Sequence, residues 1–150
     1  MTNTFNRNDG TFAQVDLASL ATTNFPLNSL TKATTANISL SSTASYVDGP
    51  SVSQGTSGTW FASGKVTLTS SVSSNFNVKL WDGTSIIASE IVTSGGGSGF
   101  YASSSLSGVL ASPAGNIRIS CQNRTVGPGT IIFNDSLNSA DSIVTALRIG

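Results

Sequence analysis

The stretch NFNVKLWDGTSIIASEIV, residues 75–92, decides the fold. In its first arm apolar residues occupy every second position from Phe76 to Leu80, so a strand would place their side chains on one face. Asp82-Gly83 follows, a pair that favours the type I′ turn of a hairpin because both residues tolerate positive φ. The second arm is rich in β-branched residues, which favour strands. The stretch therefore predicts a β-hairpin with one buried face.

The rest of the chain repeats this alternation between turn signals. The longest run, residues 58–70, places Trp60 and Leu68 on one parity, and Gly64 in its middle indicates a bulge or a close approach of another backbone. Asp48-Gly49-Pro50 predicts a turn. The tract SGGGSG, residues 94–99, predicts a flexible loop and not a phosphate cradle, because no Gly-Lys-Ser/Thr ends it.

Strands are predicted in five further segments, of which residues 105–110 give the weaker signal: residues 37–41, 105–110, 117–122, 131–133 and 142–149. About eight strands with turn signals between them, and no convincing long helix, predict an all-β chain. The expected architecture is an antiparallel β-sandwich, first of all an eight-stranded jelly roll.

Residues 1–40 are expected to form an irregular N-terminal arm before a sandwich domain of residues 41–150. Their apolar residues keep no sustained period, although Phe12 to Leu20 partly satisfies the spacing of a short helix. Such a segment is too apolar for a free tail and must be tied down. Two hypotheses stay open: the arm docks on a neighbouring subunit, or it wraps its own domain. Its candidate anchoring residues are Phe5, Phe12, Leu17, Leu20, Phe25 and Leu27.

The composition is neutral and poor in charge. Seven basic residues balance seven acidic ones, only 9% of positions are charged, and 27 serines and 18 threonines supply the polar surface. No basic cluster predicts contact with nucleic acid. No apolar run approaches the roughly 18 residues of a membrane span, so no membrane insertion is expected. Because soluble monomers usually keep a charged surface, the chain is expected to pack against copies of itself or within an assembly.

The cellular setting follows from two negative signals. Cys121 is the single cysteine, so it has no partner for an internal disulfide. The start of the chain lacks the basic-then-apolar pattern of a signal peptide. Synthesis in a reducing cytoplasm is therefore expected.

The chain carries no pattern that predicts a reaction. It has no histidine, which removes the commonest general base and metal ligand. A glycosidase needs a pair of carboxylates, but turn chemistry accounts for Asp48 and Asp82, and only Glu90 stands within a predicted strand. Oxygen ligands for calcium fall in no recognisable loop; the candidates are Asp48, Asn134, Asp135 and Asn138. We expect no enzymatic activity, no cofactor and no metal.

Candidate contact residues come from the polar parity of the first hairpin arm. Trp81 shares this parity with Lys79, so both are expected outside the core. Tyr101 is a third candidate. Aromatic rings stack on the apolar faces of sugars, which makes a host surface glycan one candidate partner. Burial of Trp81 between subunits explains the same pattern equally well.

Four sequence runs carry a resemblance to a known family. They are GTWFASGKVTL at 58–68, VKLWDGTSIIAS at 78–89, SPAGNIRIS at 112–120 and LRI at 147–149. Together they resemble a module found among the structural genes of tailed bacteriophages and prophages, over roughly Tyr46 to Ile149. The resemblance implies a jelly-roll head, often trimeric, that is displayed on a virion as a fibre tip or capsid decoration and has no enzymatic activity.

The resemblance also implies partners and a location. The expected partners are further copies of the chain, as a homotrimer, and other virion proteins such as the major capsid protein. The segment before the module is short for a fibre shaft, which favours a capsid decoration or short head fibre on the virion surface. The alternative is the receptor- or carbohydrate-binding tip of a tail fibre.

Overall fold

The computed structural model describes residues 2–6, 12–16, 28–40, 45–125 and 127–150, the first two ranges as backbone only. All regular elements in these ranges are β-strands, and none of these residues belongs to a helix that could cross a membrane. The strands are β1 (Thr2–Asn6), β2 (Phe12–Asp16), β3 (Ser29–Ala33), β4 (Ile38–Ser39), β5 (Val47–Val52), β6 (Thr59–Ser70), β7 (Ser74–Trp81), β8 (Ile86–Ser94), β9 (Tyr101–Ala111), β10 (Ile117–Asn123), β11 (Gly129–Ile131) and β12 (Ile143–Arg148).

Two antiparallel sheets form a sandwich. The four-stranded sheet has the order β5-β10-β7-β8. The six-stranded sheet centres on β6, which pairs with β9 on one side and with β12 and β11 on the other; β3 extends β12 and β4 extends β11. From β5 to β12 the chain repeatedly crosses between the sheets, as in a jelly roll.

The predicted fold class is confirmed. Eight strands of the sandwich have five residues or more, and the other two, β4 and β11, have two and three residues. Both short strands lie in or overlap segments where the sequence predicts strands, residues 37–41 and 131–133. The structure has ten strands in its two sheets where about eight are expected, and the two that are not predicted are β3, in the expected arm, and β5, which contains the expected turn.

The hairpin of residues 75–92 is confirmed as β7 and β8, with Phe76, Val78 and Leu80 buried. The predicted type I′ turn is wrong. Strand β7 ends at Trp81 and β8 begins at Ile86, so four residues connect them, and only Gly83 has a positive φ, of 99°. The carboxylate of Asp82 accepts the backbone N–H groups of the two residues after Gly83, and these bonds shape the longer turn.

The core fills the space between the sheets, with Trp60, Leu68 and Ile119 among its fully buried side chains. Gly64 lies where β6 meets the opposite sheet. A Cβ atom there would lie 2.5 Å from Ile119 Cδ1 and 3.2 Å from the backbone oxygen of Ile143. The expected close approach is therefore present, although the nearest neighbour is a side chain.

Asp48-Gly49-Pro50 is not a turn, because all three residues lie inside β5. Strand β5 is an edge strand, and its register with β10 shifts between Arg118 and Ser120. A proline is tolerated at such an edge irregularity, since no neighbouring strand needs its missing N–H. Asp48 is therefore a strand residue.

The N-terminal region also differs from expectation. Strands β3 and β4 belong to the six-stranded sheet, so the sandwich includes residues from Ser29 onward and does not begin at residue 41. Strands β1 and β2 form a separate two-stranded antiparallel sheet. The helix considered from Phe12 onward is wrong, because Phe12–Asp16 is extended and paired.

The candidate anchoring residues are only partly covered by these strands. Phe5 lies in β1 and Phe12 lies in β2. Leu17, Leu20, Phe25 and Leu27 lie outside the described residues. The anchoring role of all six stays a prediction.

Candidate functional site

The outer face of the four-stranded sheet carries a cluster of charged and aromatic side chains, which we call the ionic face. Residues that pair across antiparallel strands point to the same side. The register pairs Arg118 with Trp81, and Ser120 with both Lys79 and Asp48. The ionic face consists of Tyr46, Asp48, Lys79, Trp81, Arg118 and Ser120, with Tyr46 directly preceding β5.

The centre of the ionic face is the ammonium group of Lys79. Its Nζ lies 3.2 Å from the ring centroid of Trp81 and 4.0 Å from that of Tyr46. Both distances are within the range of cation–π attraction. The pKa of Lys79 is lowered, first because burial disfavours the charged ammonium and also because Arg118 is near; Asp48 acts in the opposite direction.

A chain of polar contacts fixes the other half of the ionic face. The indole N–H of Trp81 donates to Ser120 Oγ at 2.6 Å, and the Ser120 hydroxyl donates to Asp48 Oδ1 at 2.5 Å. Arg118 Nε forms an ion pair with Asp48 Oδ2 at 3.1 Å, outside the angles of a hydrogen bond. Its Cζ lies 4.9 Å from the Trp81 ring centroid. The Asp48 carboxylate is thus already engaged through both oxygens.

The structure places two of the three predicted contact residues together. Lys79 and Trp81 both lie on the ionic face, but the ammonium covers the Trp81 ring. Its outward position alone indicates a ring that is open for a sugar to stack on. Because Lys79 covers it, that face of the ring is not free for stacking. What the cluster offers instead is a cation held in place by two aromatic rings.

Tyr101 is remote from this cluster in the fold. It begins β9 in the other sheet, opposite Thr69, and 44% of its surface is exposed. A hydrogen bond with the side chain of Asp135 raises the pKa of the Tyr101 hydroxyl. Tyr101 therefore belongs to a different surface from Lys79 and Trp81.

The sequence does not predict Asp48, Arg118 and Ser120 as members of the ionic face. Asp48 is missed because Asp48-Gly49-Pro50 has the composition of a turn, although it lies in strand β5. Arg118 and Ser120 alternate with buried isoleucines on β10, so their outward parity is readable. Their contact with Trp81 depends on β10 pairing with β7, which residue spacing does not reveal.

The outer face of the six-stranded sheet has the opposite character, and we call it the neutral face. Phe61 on β6 lies opposite Val109 on β9 and Leu147 on β12. Phe61 is 40% exposed and Val109 is 57% exposed. The paired rows beside them are hydroxyl side chains: Ser63, Ser107, Thr145 and Thr31. Among the described strands, Lys65 is the only charged residue that the register places on this face. From the loop between β11 and β12, Asp135 forms a hydrogen bond with Tyr101 and Asp141 interacts electrostatically with Lys65.

Asp82 has a structural role. It is 3% exposed, and its carboxylate accepts backbone N–H groups from Thr84 at 2.8 Å, Ser85 at 2.6 Å and Ala114 at 2.7 Å. Burial pushes the pKa of Asp82 upward, but the three hydrogen bonds to the ionised form outweigh burial, and the pKa is lowered. Asp82 therefore ties the β7–β8 turn to the loop before β10.

The other side chains considered for chemistry are engaged locally. Asn134 Oδ1 accepts the backbone N–H of Ser139, and Asn138 Nδ2 donates to the Ser136 carbonyl, within the loop between β11 and β12. Glu90 is exposed on the edge strand β8. In the described ranges no three residues among His, Cys, Asp and Glu come together as metal ligands.

Comparison with known proteins finds structural similarity only. No family model matches the sequence, and no curated protein matches it. Among solved structures, an Eiger TNF from S. frugiperda has a TM-score of 0.48 at 10% identity, over 83% of this chain and 94% of that one. The C-terminal CBM6 of LamC, a marine laminarinase from Zobellia galactanivorans, has a TM-score of 0.40 at 12% identity, over 81% of this chain and 100% of that one.

A viral structure is also similar. The infectious bursal disease virus VP2 subviral particle has a TM-score of 0.38 at 12% identity; 97% of this chain matches 36% of that chain. The chain thus spans about a third of the VP2 length. Similarity at these values concerns the arrangement of strands and carries no function across.

Proposed function

We propose that the chain is a non-enzymatic structural protein of a tailed-bacteriophage virion, a capsid decoration or short head fibre that assembles as a homotrimer. The observation that carries the proposal is the neutral face. Phe61 and Val109 are large apolar side chains that lie side by side and exposed, on a sheet face where Lys65 is the only charged residue that the described strands contribute. A second copy would remove this apolar surface from water.

The chemistry of the neutral face favours a protein partner over solvent. Interface centres are depleted in charged residues, as this face is. Hydroxyl side chains such as Ser63 and Thr145 are neutral and short, so their desolvation costs less than that of lysine or glutamate. The number of copies, three, comes from the resemblance to the phage module; the face supports self-association of any order.

The N-terminal segment is the proposed anchor. In the part of the chain that the structure describes, the two-stranded sheet β1–β2 shares no strand pairing with the two sheets of the sandwich. In a capsid decoration or head fibre, this two-stranded sheet would bind another virion protein, such as the major capsid protein. The neutral face would then be used within the trimer, and the ionic face would point away from it on the virion surface.

Mass and location test the proposal together. Native mass spectrometry and sedimentation at micromolar concentration are expected to give a trimer. Co-sedimentation with purified capsids, and antibody labelling of particles, are expected to place the protein on the head. Deletion of residues 2–16 is expected to abolish capsid binding and leave the trimer intact. A monomer that binds no part of the particle would refute the structural role.

A second candidate function is the receptor-binding tip of a tail fibre, with a host surface glycan as partner. The ionic face favours it, because a fixed cluster of charged and aromatic side chains at the surface suits recognition of a ligand. Labelling of the tail instead of the head would favour this candidate.

A further inference from the structure

The ionic face has a cation without a matching anion. Lys79 and Arg118 contribute two positive charges against the single carboxylate of Asp48. That carboxylate is occupied by the Ser120 hydroxyl and by the Arg118 guanidinium. Among the described residues the ionic face therefore carries one net positive charge, and Asp48 offsets the charge of Lys79 only in part.

The hydrogen-bonding capacity of Lys79 is also unused within the described part of the chain. An ammonium group has three N–H donors. The contacts of Nζ there are the two rings, which attract the charge but offer no lone pair along an N–H direction. Burial is the largest cause of its lowered pKa, and the Asp48 carboxylate opposes that effect. An incoming anion would supply the missing acceptor.

The surroundings of Lys79 indicate what kind of molecule carries that anion. On β8 its cross-strand partner is Ser89, which is exposed. Asn77 lies two residues before Lys79 on the same face of β7, and its Nδ2 donates to Gln122 Oε1 at 2.9 Å. Tyr46 is 38% exposed beside them. Neutral hydroxyl and amide groups around a cation suit a ligand that combines one acid with several hydroxyl groups.

We propose that the ionic face binds an acidic saccharide, whose carboxylate accepts hydrogen bonds from Lys79 Nζ and whose hydroxyl groups contact Asn77, Ser89 and Tyr46. Trp81 takes part by holding the ammonium in position and not by stacking on the sugar. This inference goes beyond the proposed structural role and does not depend on it. It also gives the second candidate function a ligand class.

The experiment is an NMR titration of the full-length protein that follows the two indole N–H resonances. Trp81 reports the site. Trp60 is an internal control, because it is 1% exposed and its N–H donates to the Ser57 carbonyl. The acid probes are trigalacturonate and 3′-sialyllactose. The methyl ester of each is titrated as its uncharged control, and sodium sulfate is titrated as a small anion. The ester keeps the sugar and removes the charge.

Binding of at least one acid probe is expected to move the Trp81 resonance and leave Trp60 unchanged. The ester is expected to bind at least about tenfold more weakly, as is the acid to Lys79→Gln, because each change removes a charge-assisted hydrogen bond. The matched variant Lys65→Gln, on the neutral face, is expected to keep the affinity within about twofold.

Three results would overturn the proposal. One is no Trp81 shift with either acid probe up to about 10 mM, a limit that already corresponds to very weak binding. Another is equal affinity for acid and ester, or for wild type and Lys79→Gln. The third is sulfate binding as tightly as the acid saccharides, which would assign the site to small anions alone. Oligomeric mass is measured on the same samples, so a failure of binding is distinct from a failure of the proposed assembly.

Discussion

The ammonium nitrogen of Lys79 lies 3.2 Å from the ring centroid of Trp81, two residues further along the same strand. Residues two apart on a strand share a face, and here one supplies the charge and the other the ring. The pair restricts both side chains on a surface where lysine is usually mobile. It is the feature by which the ionic face differs from an ordinary polar sheet surface.

Replacement of Lys79 by glutamine is expected to change the environment of Trp81 and to lower stability slightly. Loss of a cation–π contact at an exposed site costs about 0.5–1 kcal/mol. The tryptophan emission spectrum and urea unfolding measure the two effects. Lys65→Gln, on the opposite sheet, is the control and is expected to change neither. An unaltered emission spectrum in Lys79→Gln would contradict the contact.

Replacement of Asp82 by alanine is expected to destabilise the protein by about 1–3 kcal/mol, because three backbone N–H groups lose the charged acceptor that they share. Urea unfolding at neutral pH measures the loss. Glu90→Gln, an exposed acid on β8, is the matched control and is expected to be neutral. Equal stability of the two variants would rule out the structural role of Asp82.

The contribution of Asp82 is also expected to depend on pH. Its folded-state pKa lies below the ordinary value of 3.8, so the unfolded chain takes up the proton first as the pH falls. The stabilisation is therefore present above pH 3.8 and is lost as the pH falls through the folded pKa. The stability difference between wild type and Asp82→Ala should shrink in that acid range; a difference that grows there would show the opposite sign.

Substitution of Gly64 by alanine is expected to strain the core by about 1–3 kcal/mol. The new methyl group would lie 2.5 Å from Ile119 Cδ1. Ile119→Val removes that atom. The double variant should therefore lose less unfolding free energy than the sum of the losses in the two single variants. Thermal unfolding of the four proteins gives the coupling. Strict additivity would mean that the two positions do not meet.

Substitution of Phe61 and Val109 by serine is expected to weaken self-association by about tenfold or more, because both side chains leave the centre of the proposed contact. Sedimentation velocity across a concentration series measures the change. Ile91→Ser is the control, since Ile91 is 58% exposed on the other sheet and should leave assembly unaffected. If the Phe61/Val109 variant assembled as well as the Ile91→Ser control, the neutral face would not be the interface.

Cys121 is expected to resist thiol reagents in the folded protein. It is fully buried, and desolvation raises the pKa of its thiol to about 12. At pH 8 almost no thiolate forms, and a reagent has no path to the sulfur. Labelling with a disulfide reagent should therefore proceed at the rate of unfolding and accelerate in urea. Rapid labelling of the native protein would contradict this packing.

The fold was largely predictable because its core strands obey a period of two. Phe76, Val78 and Leu80 are buried as their parity predicts, and the antiparallel sandwich follows from several such runs. Strand β3 was not predicted because its sequence, SLTKA, shows no alternation of large apolar residues. Strand β5 escaped in part because Asp48-Gly49-Pro50 has the composition of a turn but occupies the irregular edge of a sheet.

Only the residues of the candidate site that lie on a single strand were predictable from the sequence. Lys79 and Trp81 lie on one strand, so parity places them together. Arg118 and Asp48 reach them across two further strands, and that adjacency comes from the order β5-β10-β7, which depends on packing of the whole chain. Tyr101 was chosen for its residue type, and the topology carries it to the other sheet.

The core separates the ionic face from the neutral face by the thickness of a sandwich, about 10 Å between sheets. Substitutions at that separation with no shared contacts usually act independently. The surface around Lys79 can thus diversify over evolution, or be redesigned, without disturbing the packing around Phe61. One jelly roll would in this way allow what the protein recognises to change while how it assembles stays the same.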